Sequence, residues 1–307
     1  MKTDFVPLTS IRDLAEIFNI SAKEIFKYSN FSEKYYKIKN IPKRKGGVRV
    51  IVIPCDELKK IQRWILREIL YKNNIDEVAH GFIKNRSIVT NAQIHLNTKI
   101  VYNLDLKDFF PSIKFLSVYN VFKKMGYNRN VCTLLSNLCT YEGYLPQGAP
   151  TSPYLSNLVL KRMDMRLKYY SEKKKLKYSR YADDLTFSGE RLSKSTKYFI
   201  KKIILSEGFE INLKKERIAL KSTRQEVTGL IVNGKRLSLP REKERYLRQQ
   251  IFYCKTKGVF DNLLFQNKEE VSNYSAHLYG LAHYINMVDP NKGRKYLEEL
   301  DKIDWES

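Results

Sequence analysis

What the chain lacks narrows it first. Its four cysteines, Cys55, Cys132, Cys139 and Cys254, are scattered and make no Cys-x-x-Cys pair. That argues against a zinc site or a disulfide framework and leaves free thiols as the expectation. No stretch of eighteen apolar residues occurs, so no membrane-spanning helix is expected. Met1-Lys2-Thr3-Asp4-Phe5 carries no apolar signal core, which makes the cytoplasm the expected location. Histidines are few, and neither His80 nor His95 has partners at metal-ligand spacing. Acid is scarce too: 33 Asp and Glu face 56 Lys and Arg, a formal net charge of +23. Such an excess calls for a polyanionic partner, nucleic acid ahead of an anionic membrane surface.

What is present is enough for a real core. Apolar residues make up 43% of 307 residues, sufficient for two or three packed subdomains. The 21 Tyr and 15 Phe are read mostly as core or amphipathic surface, with stacking on bases left open. Residues 8–29 read as helical, capped at Ser10 and broken around Asn19-Ile20-Ser21, and packing is preferred over a DNA-reading helix-turn-helix. Residues 35–54 read as a hairpin with a basic, glycine-containing turn. Helices are expected over 56–75, after Ser112, over 129–141, from about Pro153 and over 193–207. The lysine-rich stretch 168–180 reads as a solvated loop. Residues 227–232 read as a strand, followed by a short hairpin through Asn233-Gly234. From Pro240 onward the chain reads as helical, with several basic residues on one stripe and a tightly packed junction at Tyr279-Gly280-Leu281.

Two acidic strand ends carry the chemistry. Tyr181-Ala182-Asp183-Asp184 sits between two short β-prone runs, where a tight hairpin exposes carboxylates. Adjacent acids repel, so the pair needs a cation or a basic partner. A polar β-turn would account for this stretch alone. A second apolar strand, Val101-Tyr102-Asn103-Leu104, delivers Asp105 just ahead of Phe109-Phe110. Leu145-Pro146-Gln147-Gly148-Ala149-Pro150 makes a rigid loop.

Together these segments resemble the reverse transcriptase palm. The resemblance implies an α+β, right-hand polymerase fold with fingers, a palm of antiparallel sheet plus helices, and a small helical thumb. It allots 1–104 to N-terminal helices and fingers, with 125–160 partly returning to fingers and palm, 105–232 to the palm core and 233–307 to the thumb and RNA-binding region. Asp105, Asp183 and Asp184 are then the catalytic acids and the ligands of two Mg²⁺ ions, whose hard oxygen donors suit that metal. Lys43 and Arg49 clamp the triphosphate of the incoming dNTP, Phe110 lies under its sugar and excludes a 2′-hydroxyl, and Gln147 contacts nucleotide or template. Arg44 and Lys45 are left to the template, and Asn212 and Lys215 are polar marks at the end of the palm.

Asn91-Ala92-x-x-His95 and Val227-Thr228-Gly229 tilt the resemblance from group II intron enzymes to retron reverse transcriptases. That family implies a cognate structured noncoding RNA, copied in part from a guanosine 2′-hydroxyl into branched msDNA, with an RNA–DNA duplex in the cleft. It further implies an accessory effector protein and a role in antiphage defence. Two other readings stay open: an intron-type or diversity-generating reverse transcriptase, and a palm that only scaffolds RNA, against which the presence of all three acids speaks.

Overall fold

The computed structural model of the protein describes residues 6–42, 46–265 and 271–305. Two short helices come first, α1 (Ile11–Phe18) and α2 (Ala22–Asn30). Each starts at a serine capping box, Ser10 with Asp13 and Ser21 with Glu24, and the left-handed Asn19 (φ 50°) ends α1. The interruption at 19–21 is therefore a stop followed by a start, and α2 packs on a later helix, α7 (Arg129–Cys139). Strands β1 (Tyr36–Pro42) and β2 (Val48–Pro54) pair antiparallel from Tyr36↔Pro54 to Pro42↔Val48. Only the end near Tyr36, Val52 and Pro54 is buried; Ile38, Ile41, Val48 and Val50 are exposed. The hairpin thus projects from its base.

Helix α3 spans Asp56–Trp64. The single helix expected over 56–75 does not hold: the ladder widens to a π turn over Ile65–Ile69 and tightens to a 3₁₀ turn over Leu70–Lys72. This irregular stretch puts Ile65, Ile69 and Leu70 all inside. There follow α4 (Ile88–Gln93), β3 (Ile100–Asp105), α5 (Phe109–Ser112) and α6 (Phe115–Lys124). After α7 come α8 (Ser152–Lys173), β4 (Leu176–Tyr181), β5 (Asp184–Gly189), α9 (Lys194–Ser206) and β6 (Arg217–Leu220). The expected loop over 168–180 is corrected to the last turns of α8 and most of β4. Its cations lie on the helix surface, Lys168 on Glu77 and Lys173 over the Tyr169 ring. Leu176, Tyr178 and Arg180 alternate inward, so the strand period won over the charge run.

The expected strand over 227–232 is also corrected. Thr228 (φ 47°) and Gly229 (φ 81°) are both left-handed and turn the chain between β7 (Glu226–Val227) and β8 (Leu230–Ile231). Two left-handed residues in succession are what a tight hairpin demands. The helices α10 (Arg241–Lys257), α11 (Val259–Phe265), α12 (Val271–Val288) and α13 (Pro290–Asp301) complete the described chain.

The architecture is mixed α/β, with helices around a four-stranded sheet of order β4-β5-β3-β6. The chain forms two compact units. One comprises Met1–Asn85, Asn103–Phe187 and Leu192–Arg217; the other comprises Arg86–Tyr102, Ser188–Arg191 and Ile218–Ser307. The core of the second is built by residues such as Val101, Leu230, Leu247, Leu278 and Ile285. Within it α12 and α13 pack closely, and the contact point is Gly293: a Cβ there would lie 2.1 Å from Asn286 Cα. Gly280, expected at a tight junction, has nothing within 4 Å. Gly293→Ala should therefore cost about 1–3 kcal/mol or more through overpacking, whereas Gly280→Ala should be neutral or stabilising by about 0.5–1 kcal/mol. Urea unfolding of the two variants checks the contrast.

Candidate active site

The acids meet in the first unit. Asp105 closes β3 with its side chain only 8% exposed. Its carbonyl accepts from Asn212 N at 2.8 Å, and Leu106 N donates to the Asp183 carbonyl at 2.9 Å, so the backbone beside one acid is tied to the backbone of another. A two-residue connection, Ala182-Asp183, joins β4 to β5 and places Asp184 at the start of β5. Such a short link permits only an antiparallel pair.

The cluster is electrostatically coupled. Burial pushes the Asp183 carboxyl up, the Asp105 charge adds to the rise, and Lys215 and Arg49 pull the other way. Asp184 keeps surface on solvent, yet the protein packed behind it pushes its carboxyl up to about 7, with Asp183 and then Asp105 contributing. Lys215 Nζ lies 2.5 Å from Asp105 Oδ1, and Asn212 Nδ2 lies 3.4 Å from Asp105 Oδ2. Sequence reasoning named these two only as family marks; the structure puts both on the first acid.

The other residues singled out by sequence fall around this cluster unequally. Arg49, exposed on β2, acts on the Asp183 charge. Phe110 is half-buried, with ring centroids of Phe109 at 5.1 Å and Phe82 at 6.1 Å, while Phe109 is buried. The Gln147 carbonyl accepts from Val52 N at 2.8 Å. Gly148 (φ 141°) presses on the same strand, since a Cβ there would lie 2.6 Å from the Val52 carbonyl oxygen. The close approach that this glycine permits is thus to β2. Lys43, Arg44 and Lys45 lie outside the described residues.

Behind the turn is a group that sequence reasoning missed. Arg180 is fully buried. Its Nη2 lies 2.6 Å and its Nε 2.9 Å from the two Asp164 oxygens; Nη1 donates to Asn157 Oδ1 at 2.9 Å and to the Ala182 carbonyl at 3.1 Å. Asn157 Nδ2 in turn donates to the Gly81 carbonyl, and Tyr178 donates its hydroxyl proton to Asp164. Burial opposes the Arg180 charge and Asp164 more than offsets it, raising its pKa. Ala182 is left-handed (φ 56°), and a Cβ on Gly81 would fall 2.6 Å from Ala182 N. The period-two phase of Leu176, Tyr178 and Arg180, together with an acid set between Met163 and Leu167 of α8, was the available signal.

Residues 41–233 match the family model described as reverse transcriptase (RNA-dependent DNA polymerase). The retron Ec86 reverse transcriptase of Escherichia coli is 34% identical over 301 residues, covering 97% of this chain and 90% of that protein. The chain belongs to the retron reverse transcriptases. The retron Mx162 enzyme of Myxococcus xanthus is also 34% identical, over 97% of this chain and 67% of its own length. A telomerase from Candida albicans, solved with a fragment of telomeric RNA, shares the fold at a TM-score of 0.51 and 14% identity, over 86% of this chain and 55% of its own. The retron enzyme is accordingly an RNA-directed DNA polymerase.

Among the described residues of this retron enzyme, no three His, Cys, Asp or Glu side chains form a group that could by itself hold a metal ion, and no helix is long and apolar enough to cross a membrane. Ions at the acids would draw further ligands from water and substrate phosphates, as Mg²⁺ commonly does. The two retron marks converge in the second unit: Asn91 Nδ2 lies 3.5 Å from Thr228 Oγ1, which donates to the Ile88 carbonyl, and His95 Nδ1 lies 2.7 Å from Ser188 Oγ.

The raised Asp184 pKa has a definite sign. A carboxyl that binds its proton more tightly folded than unfolded lowers stability as pH climbs from its unfolded value to its folded one. Without divalent ions, Asp184→Asn should therefore melt higher than the parent at about pH 8, with the gap closing toward about pH 4. Added Mg²⁺ should raise the parent more than the variant. Thermal melts across pH, with and without Mg²⁺, test both.

Proposed function

We propose that this enzyme polymerises dNTPs at Asp105, Asp183 and Asp184, copying part of a cognate structured noncoding RNA from a guanosine 2′-hydroxyl into branched msDNA. The carrying observation is the mutual charge coupling of the three acids, offset from within the chain by Lys215 and Arg49. Such a cluster is costly without a cation and suited to one. Asp105, Asp183 and Asp184 would hold two Mg²⁺ ions, with water and substrate phosphates completing the ligands, and bound ions would supply a lowered hydroxyl pKa and neutralise charge on the leaving pyrophosphate.

The chain's own residues position the reaction. The primer hydroxyl oxygen bonds to the α-phosphorus, the bond from that phosphorus to the bridging oxygen breaks, pyrophosphate leaves with the electron pair, and the hydroxyl proton passes to water. Arg49, with Lys43, neutralises triphosphate charge. Phe110 sits under the sugar and excludes a 2′-hydroxyl, and Gln147 contacts nucleotide or template. Catalysis of this kind is mainly placement and electrostatics. We assign residues 1–104 to N-terminal helices and fingers, with 125–160 partly returning to fingers and palm, 105–232 to the palm core and 233–307 to a helical thumb and RNA-binding region whose basic α10 follows the RNA–DNA duplex by its phosphates. Enzyme and msDNA together hold an accessory effector protein in antiphage defence.

Asp183→Asn should lower primer extension by roughly 10²-fold or more while leaving RNA affinity unchanged. Extension assays paired with filter binding decide it, and normal extension by the variant sinks the assignment. The product has its own test. Nucleic acid copurified with the enzyme, treated with RNase and with a debranching enzyme and then sequenced, should be a branched RNA–DNA hybrid. Unbranched cDNA primed from a 3′ end would favour the intron-type reading instead.

A further inference from the structure

We propose that the outer face of α8 and α9 is a second nucleic-acid site, one that binds an unpaired stretch of RNA. On α8, Arg162, Met165, Tyr169 and Lys173 recur at helical spacing, opposite the flank whose Asp164 grips Arg180. Tyr169 is 60% exposed and Tyr198 on α9 is 61% exposed. Three rings form one group across the two packed helices, with Tyr170 and Phe199 centroids 6.0 Å apart and those of Tyr198 and Phe199 5.6 Å apart; Tyr169 stands next to Tyr170 in α8, capped by Lys173. Aromatic side chains left in water at this density mark an interaction surface.

The charge around the rings selects the partner. Lys173 Nζ lies 4.4 Å from the Tyr169 ring centre, and Lys174 Nζ lies 5.8 Å from that of Tyr170. Two of the three acids near this face are already engaged, Asp164 with Arg180 and Glu207 with Arg166 and Arg162, which leaves the exposed Glu172 as the one acid set against the lysines. Lys173, Lys174, Lys197 and Lys202 form no ion pair among the described residues. Exposed rings flanked by unpaired ammonium groups suit single-stranded nucleic acid, whose bases stack and whose phosphates take the charge. The cores of protein interfaces, by contrast, are depleted in lysine. The strand is assigned as RNA because the template is the single strand present before any DNA is made, and because the tyrosine hydroxyls can bond a 2′-hydroxyl. That choice rests on the RNA-templated activity.

The full-length enzyme, its cleft filled with an unlabelled RNA–DNA primer–template, is titrated with a labelled unstructured oligouridine. Tyr169→Ala with Tyr198→Ala should weaken oligouridine binding about tenfold or more, with primer–template affinity, extension and melting temperature unchanged. Lys173→Gln with Lys174→Gln should lower the slope of log affinity against log salt by about 1 to 1.5. Phe26→Ala, an exposed aromatic on α2, should change nothing. Unaltered oligouridine affinity in the tyrosine variant overturns the site. Equal losses for oligothymidine overturn the assignment to RNA, and parallel loss of primer–template binding means that the rings serve the polymerising cleft. Failure of the parent to extend any primer would instead strike at the catalytic reading, while the binding comparison would still stand.

Discussion

The turn that carries two of the three acids hangs on a guanidinium that never meets water. Arg180 reaches a carboxylate and an amide on α8 and a carbonyl of the turn itself. One planar fork can hold three acceptors in fixed directions, which a lysine ammonium on a flexible stem cannot. Burying such a pair is not a cheap source of stability, and removing one partner typically costs about 3–5 kcal/mol because the other is stranded. The return on this arrangement is geometric. Ala182 occupies a left-handed conformation that disfavours a side chain by about 1–2 kcal/mol, and Arg180 hydrogen-bonds the carbonyl of that same residue. Gly81, with no Cβ, closes the turn from another side. The turn that carries the acids is thus fixed from behind.

In front of the turn the logic reverses. Asp183 and Asp184 are held where burial and mutual repulsion make their ionised forms expensive. Among the described basic residues, Lys215 and Arg49 act on this cluster. Lys215 contacts Asp105 while staying more than half exposed, so it can yield the carboxylate to a cation of higher charge without leaving a buried ammonium behind. On the proposed reading, the repulsion among the acids and the exposed lysine are two sides of one constraint: a site stable enough to fold without a cation and unsatisfied enough to take one.

Reading the sequence located both acidic strand ends, the hairpin, the rigid loop and the helical C-terminal part, because each rests on local signals such as strand period, caps and proline. The misreadings came where a local signal was outvoted. Lysines over 168–180 suggested a loop, but cations on a helix surface cost nothing while Leu176 and Tyr178 faced inward. Val227 and Leu230 suggested one continuous strand, but Thr228 and Gly229 turn it. Arg180 escaped notice because a lone arginine beside an acidic motif reads as surface charge until its partner, sixteen residues upstream on another element, is known. Which residues pair across distant elements is a property of packing, and no single chain prints it.

The motif residues add a subtler point. Gly148 was read as part of a rigid loop, and Asn91 and Thr228 as marks of a family. In the fold Gly148 lets its loop touch β2, and Asn91 and Thr228 touch each other. A residue type can therefore be demanded by the chain's contact with itself, even where the motif as a whole belongs to a reaction. For Gly148 the two demands are compatible: a loop pinned to β2 through Val52 carries the Gln147 side chain on a fixed base, and β2 also bears Arg49, whose charge reaches Asp183. Pinning the loop to that strand couples the positions of Gln147 and Arg49, so a substitution at Gly148 acts on both without either side chain being changed.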